Sequence, residues 1–228
     1  ARGIRHPPDV LGVRGFQGND PWWSRHTIAD RMPPSVTLQS KDDLRQDLRA
    51  ARKAHVDALP DSMRALVFHR PPAPLLELVP DGAVIGLYRE NAYEAPASSY
   101  AKFFLEHGHE LALPRFAGGG AVMEFARFAD PFEVEDLQEG PFGLMQPPSE
   151  APSMQPAVLL VPLIGFTDSG ERLGQGGGHY DRWLEAHPET IAIGLAWDCQ
   201  KCDRLPVEAH DKRLQAVVTP TRFFGPFA

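Results

Sequence analysis

The chain has little cysteine, no long apolar run and no excess of positive charge, and each shortage closes off a class of function. Its two cysteines among 228 residues stand together as Cys199-Gln200-Lys201-Cys202. A zinc site wants a second pair or histidines at matching spacing, and a redox pair wants a thioredoxin-like setting. Neither is evident, so reduced, structurally unimportant thiols are expected. No stretch of 18 apolar residues occurs, so no membrane-spanning helix is expected. The first residues carry arginines but no apolar h-region, so no secretory signal is expected, and the cytoplasm is the expected compartment. A net charge of −7 supplies no broad basic face for nucleic acid, though it leaves local anion sites open. There is no G-x-x-x-x-G-K-S/T run, so the chain has no P-loop.

A hydrophobic content of 43% is enough for one substantial core. Residues 1–39 carry Pro7-Pro8 and Pro33-Pro34 and lack a sustained apolar period, so they read as a poorly ordered extension, with Met32 an alternative initiator. Trp22-Trp23 speaks against dismissing it, because paired tryptophans are costly to leave in water. Order is expected from Ser40, a good N-cap, with Asp43 at the capping-box position. Leu44, Leu48, Ala51 and Leu59 give a helical stripe that Pro60 stops. Lys41 and Arg45 share one face near that helix's N-terminus, where cations oppose the dipole; helix physics alone assigns them to a solvated face.

Alternation follows. Strands are expected at Ala83–Tyr88, at Glu110–Leu113 (stopped by Pro114), at Val122–Phe128 in antiparallel sense, and at Ala157–Val161, Ile191–Trp197 and Ala216–Thr219. Helices are expected from Ser98, as cap, to His107, with Gly108 as C-cap, and from His179 to Ala186. Short apolar runs alternating with helices predict a single α/β domain over residues 40–228, with a mostly parallel sheet and helices on both faces.

The most informative run is Arg172-Leu173-Gly174-Gln175-Gly176-Gly177-Gly178-His179-Tyr180-Asp181-Arg182. Successive glycines let backbone N–H groups approach one anion closely. The helix behind them adds unpaired N–H donors and its positive dipole end. Arg172 and Arg182 can add charge-assisted contacts to phosphate. Asp181 would repel phosphate unless a divalent cation lies between them, which points to a magnesium–nucleotide site. A glycine-rich surface turn with charged neighbours is the plainer alternative. The dinucleotide fingerprint is incomplete, since the spacing from Gly174 and Gly176 leads to His179 instead of a third glycine.

Three separated motifs, in order, resemble the 5-formyltetrahydrofolate cyclo-ligase family, also called 5,10-methenyltetrahydrofolate synthetases. They are Lys41-x-x-x-Arg45; Val161-Pro162-Leu163 through Gly165-Phe166 to Gly170-x-Arg172-Leu173-Gly174-x-Gly176-x-Gly178-x-Tyr180-Asp181-Arg182; and Leu205-Pro206-x-Glu208-x-His210-Asp211. The resemblance runs from about Lys41 to Phe224. It implies a Rossmann-like three-layer fold, similar to ribose-phosphate isomerase-like folds, and ATP-dependent conversion of 5-formyltetrahydrofolate to 5,10-methenyltetrahydrofolate. By the same resemblance Lys41, Arg45, Arg172, Leu173, Gly174, Gln175, Gly176, Gly177, Gly178, His179 and Tyr180 would bind ATP, with Arg172, Tyr180 and Lys41 catalytic. Asp181 and Asp211 would hold magnesium, and Arg89 and Glu94 would bind the folate, Glu94 at the pterin. A monomer acting on small molecules, with no nucleic-acid or membrane partner, is expected.

Four positions depart from the family pattern. Thr167 stands where the family has Asp, Gln146-Pro147 replaces Glu-Pro, His179 replaces an aromatic residue, and Ala95-Pro96-Ala97 replaces an apolar-acid-Thr run. A sugar-phosphate isomerase-like enzyme, a paralogue with another acceptor and a non-catalytic nucleotide sensor are the alternatives.

Overall fold

The computed structural model describes residues 39–227 apart from 65, 119, 132–136 and 142, and the side chains of 61 and 64. The extension expected over residues 1–39 therefore lies outside the described residues, but for Gln39. Helix α1 (Lys41–Ala58) starts as expected. Ser40 Oγ accepts from the Asp43 amide at 3.2 Å and donates to the Asp43 carboxylate at 2.7 Å. Two short turns follow, α2 (Asp61–Arg64) and α3 (Ala73–Leu76), then β1 (Val84–Gly86), α4 (Ser98–Glu106), β2 (Glu110–Arg115) and β3 (Glu124–Arg127). Next come β4 (Gln138–Glu139), β5 (Met145–Gln146), β6 (Ser153–Met154), β7 (Val158–Pro162) and the hairpin β8 (Gly165–Phe166) with β9 (Arg172–Leu173). The remaining elements are α5 (His179–Ala186), β10 (Ile191–Leu195), β11 (Ala216–Val218) and β12 (Phe223–Phe224).

The eight-stranded sheet has the order β12-β11-β10-β7-β1-β2-β3-β6. Its five central strands, β2-β1-β7-β10-β11, are parallel. Antiparallel strands β3 and β12 flank them, and β6 adds to β3. Side chains alternate along each strand. Val158 and Leu160 of β7 therefore pack with Val56, Leu75, Tyr100 and Phe104 of α1, α3 and α4, while Leu159 and Val161 pack with Trp183 and Leu184 of α5. Helices cover both faces of a mostly parallel sheet, the predicted α/β architecture. Among the described residues no helix is long and apolar enough to cross a membrane.

Four local expectations are corrected. Pro114 does not end β2, which runs on to Arg115. The Phe128 amide bonds to the Leu111 carbonyl at 2.9 Å, so alternation places Pro114 opposite Phe125 in a non-hydrogen-bonded pair of the antiparallel ladder, where the missing N–H costs nothing. Pairing with β1 does stop there, since the ladder on that side reaches only Ala112. Ser98 is the first residue of α4; the cap is Ala97, without a side-chain bond. On α1, Ala51 is exposed, and the inward face is Leu44, Leu48, Arg52 and Val56. Two further cations share that face: Lys41 and Arg45 are mostly covered, not solvated.

β1 lies between β2 and β7, so the chain reverses its direction of travel across the sheet at the β1/β7 boundary. Ligands of open α/β sheets bind outside the carboxyl ends of the strands at such a point.

Candidate functional site

Two adjoining cavities open there. The larger, about 420 Å³, is walled by Tyr88, Phe116, Met123, Met145 and Pro162, with Arg89, Glu94, Gln175, Gly177, His179 and Tyr180 on its polar side. The smaller, about 310 Å³, is lined by Lys41, Arg45, Gly176, Glu208, His210 and Asp211 among others. Arg172, Gly174 and Asp181 belong to both walls. The residues expected to bind ATP thus divide between two chambers instead of filling one.

The β8–β9 hairpin delivers the glycine loop to this wall. Leu173 is buried with Ile164 and Leu205, its carbonyl accepts from the Ile164 amide at 2.7 Å, and it also borders the smaller cavity. Gly176 (φ 108°) and Gly178 (φ 63°) hold left-handed backbone that a side chain would strain. Gly178 caps α5 with no side-chain bond, which leaves the first amides of the helix available to an anion. Arginines occupy the loop's carbonyls. Arg45 donates to Gly174 at 2.9 Å, Arg49 to Gln175 at 3.2 Å, and Arg182 to Gly177 at 3.0 Å.

The Arg172 guanidinium is buried and pairs with Asp181 at 2.6 Å, while its Nε has no partner. Burial lowers its pKa; Asp181, Tyr180 and Asp211 oppose that, and it stays cationic. Asp181 also accepts from the Lys212 amide at 3.0 Å. Lys41 reaches across 170 positions to Asp211 at 2.7 Å and across 167 to Glu208 at 2.9 Å. Glu208, His210 and Asp211 bring ligand atoms within 4.8 Å of one another. Asp181 is outside that group but lines the same cavity. Hard carboxylate oxygens suit magnesium, and in their present state the two aspartates are neutralised by Arg172 and Lys41.

Burial pushes the Asp211 carboxyl up, but Lys41 and the Glu208 amide outweigh it, and its pKa falls below the usual 3.8. Burial pulls Lys41 down; its hydrogen bonds to Asp211 and Glu208 outweigh that and raise it above 10.5. A depressed carboxyl contributes stability that is complete above its unfolded value and is lost as pH falls through the folded one. The raised ammonium contributes below its unfolded value and loses that share as pH climbs through its folded one. Asp211→Asn should therefore melt below wild type near neutrality, and the gap should close as the pH drops from 3.8. Thermal melts against pH read it directly; a gap unchanged down to about pH 2 would show that the pair contributes nothing.

On the other side, Glu94 accepts from the Asn91 amide at 3.0 Å and from Gln175 of the glycine loop at 3.0 Å. Arg49 in turn donates to the Gln175 side chain at 3.0 Å. Burial raises the Tyr180 hydroxyl, with Glu94 adding to it and Arg172 opposing, so the group is a neutral donor at physiological pH. His179 packs edge-on against Phe116 at 4.9 Å, and burial, with Arg182, lowers its pKa. Gln146 is buried; it accepts from the Phe116 amide and donates to the Phe116 carbonyl, both at 3.0 Å. An ionised glutamate could make only the first of these bonds.

Sequence reasoning missed Arg49, Arg52 and the apolar wall. Arg52 carried a signal, standing eleven residues after Lys41 and seven after Arg45 on one helical face. Phe116, Met123 and Met145 carried none.

The chain has an open, doubly wound α/β sheet with a glycine loop and a helix N-terminus lacking a side-chain cap at its switch point, where ligands of such sheets bind. The chain belongs to the 5-formyltetrahydrofolate cyclo-ligase family, whose model matches residues 37–220. It is 51% identical over 67 residues to the 5-formyltetrahydrofolate cyclo-ligase of Escherichia coli K12, covering 28% of this chain and 37% of that protein. With the Mycolicibacterium smegmatis protein of the same name it shares 33% over 126 residues, 52% of this chain and 63% of the relative. The match thus spans less than two thirds of either relative's length. The solved structure of Aquifex aeolicus 5,10-methenyltetrahydrofolate synthetase superposes with a TM-score of 0.65 at 26% identity, over 82% of this chain and 92% of that one.

Proposed function

We propose that this chain catalyses the ATP- and magnesium-dependent conversion of 5-formyltetrahydrofolate to 5,10-methenyltetrahydrofolate. The observation that carries the proposal is the pair of chambers, one charged and one largely apolar, that share the buried Arg172 in their common wall. A triphosphate and a flat heterocycle lodged on either side would meet at that guanidinium.

The formyl oxygen is a poor leaving group. Its attack on the γ-phosphorus forms one P–O bond as the bond to ADP breaks, giving an imidate phosphate. The N10 lone pair then adds to the formyl carbon, the C–O bond breaks with phosphate as leaving group, and the N10 proton passes to solvent or phosphate. Positioning and charge neutralisation supply most of such catalysis. Lys41, Arg45 and the α5 amides would bind the phosphates, with Arg172 and the neutral Tyr180 hydroxyl at the transferring group. Arg89 and Glu94 would hold the folate. Asp181 and Asp211 would hold magnesium, which neutralises phosphoryl charge. The enzyme would be monomeric and cytoplasmic; the net charge of −7 gives no support to a nucleic-acid partner, and no described helix is long and apolar enough to cross a membrane.

Incubation with ATP, magnesium and 5-formyltetrahydrofolate should produce the near-ultraviolet absorbance of the methenyl product, with ADP released only when all three are present. No methenyl product, no ADP release and no ATP binding would favour a phosphate-binding isomerase-like enzyme. ADP release that ignores the folate would favour another acceptor, and ATP binding without turnover a sensor.

A further inference from the structure

Helix α1 carries a third inward cation, and the reaction as written gives it no task. Arg52 is 5% exposed. It follows Arg45 by seven residues, two helical turns, and so lies on the same face. Its Nη1 reaches the Leu163 carbonyl at a long 3.4 Å and Glu94 Oε1 at 4.0 Å, and its Nε is buried with no hydrogen-bond partner. A guanidinium offers five donors, and burying one so sparsely used is a poor way to stabilise a fold. Burial lowers its pKa, and Glu94 is the largest influence opposing that.

The Glu94 carboxylate is 9% exposed, and Arg52 is its one ion-pair partner among the described residues. The backbone around Glu94 is anchored independently. Trp197 Nε1 donates to the Tyr93 carbonyl at 2.9 Å, and the Tyr88 hydroxyl donates to the Ala95 carbonyl. Arg52 is thus not needed to hold the loop. What it adds is a fixed positive charge behind a carboxylate that lines the larger cavity.

We propose that Arg52 is a positioning residue for the folate side of the site, its charge acting with the Asn91 and Gln175 hydrogen bonds to hold the Glu94 carboxylate in place to accept hydrogen bonds from the pterin ring. This rests on the cyclo-ligase reading above. Helix α1 would then serve both chambers, presenting Lys41 and Arg45 to the nucleotide and, two turns on, the counter-charge of the folate-binding carboxylate.

The test is steady-state kinetics and thermal melting of the full chain carrying Arg52→Met. KM for 5-formyltetrahydrofolate should rise by about tenfold, while KM for ATP stays within about twofold. Tm should fall only slightly, because Glu94 loses a single long ion pair at 4.0 Å and keeps its bonds from the Asn91 amide and Gln175. Arg52→Lys should recover part of the folate KM, and Arg52→Met should add nothing further in a Glu94→Gln background. If the methionine variant does not fold, Arg52→Gln is read the same way. Equal rises in both KM values, a lowered Tm with an unchanged folate KM, or additive effects in the double variant would overturn the proposal while leaving the activity standing. A wild-type chain that forms no methenyl product would overturn both.

Discussion

Arg172→Ala is expected to lower kcat/KM by one to three orders of magnitude, about 1.4–4 kcal/mol of transition-state stabilisation. The size follows from where the guanidinium sits. Its side chain is 3% exposed, so water screens it little, and it borders both chambers. It is also preorganised by Asp181 at 2.6 Å, so it need not reorient as charge spreads over the transferring phosphoryl group. Arg172→Lys keeps the charge but not the planar fork and should recover only part of the rate. Alanine also leaves Asp181 without its cationic partner, so turnover should be normalised to the folded fraction. Wild-type turnover of the folded alanine variant would remove Arg172 from the chemistry.

Glu94→Gln is expected to raise KM for 5-formyltetrahydrofolate by about 10–100-fold, with KM for ATP within about twofold. A pterin edge presents adjacent N–H donors, and a carboxylate accepts from both. A carboxamide has one acceptor and one donor, so one of the two contacts becomes donor against donor. The Asn91 amide and Gln175 Nε2 would face the same conflict, since both donate to Glu94. Equal losses for both substrates, or none for either, would count against the pterin role. The Glu94–Gln175 bond also ties the folate side to the glycine loop, so binding studies should follow each ligand in the presence and absence of the other.

The family departures are structurally intelligible in two cases. Gln146 uses both ends of its amide on the Phe116 backbone, a pair of bonds that an ionised glutamate would half lose. Thr167 accepts from the Ser169 amide at 3.4 Å and donates to Glu171 at 3.2 Å, stabilising the turn between β8 and β9, while the neighbouring Asp168 pairs with Lys201.

What the sequence determined by itself is whatever depends on near neighbours along the chain. Period-two and helical patterning located the strands of the parallel core and α1, α4 and α5. Clustered glycines ahead of an amphipathic helix located the loop, because left-handed backbone and a missing side-chain cap are local properties. Tertiary structure decided the partners. Helical spacing put Lys41, Arg45 and Arg52 on one face, yet isolated-helix physics sent that face to solvent. Only the strand order and the packing of α1 bring Asp211 from 170 positions away to Lys41, and Glu94 to Arg52. Whether a cation is solvated or enclosed depends on what the rest of the chain places opposite it, and no local period carries that information.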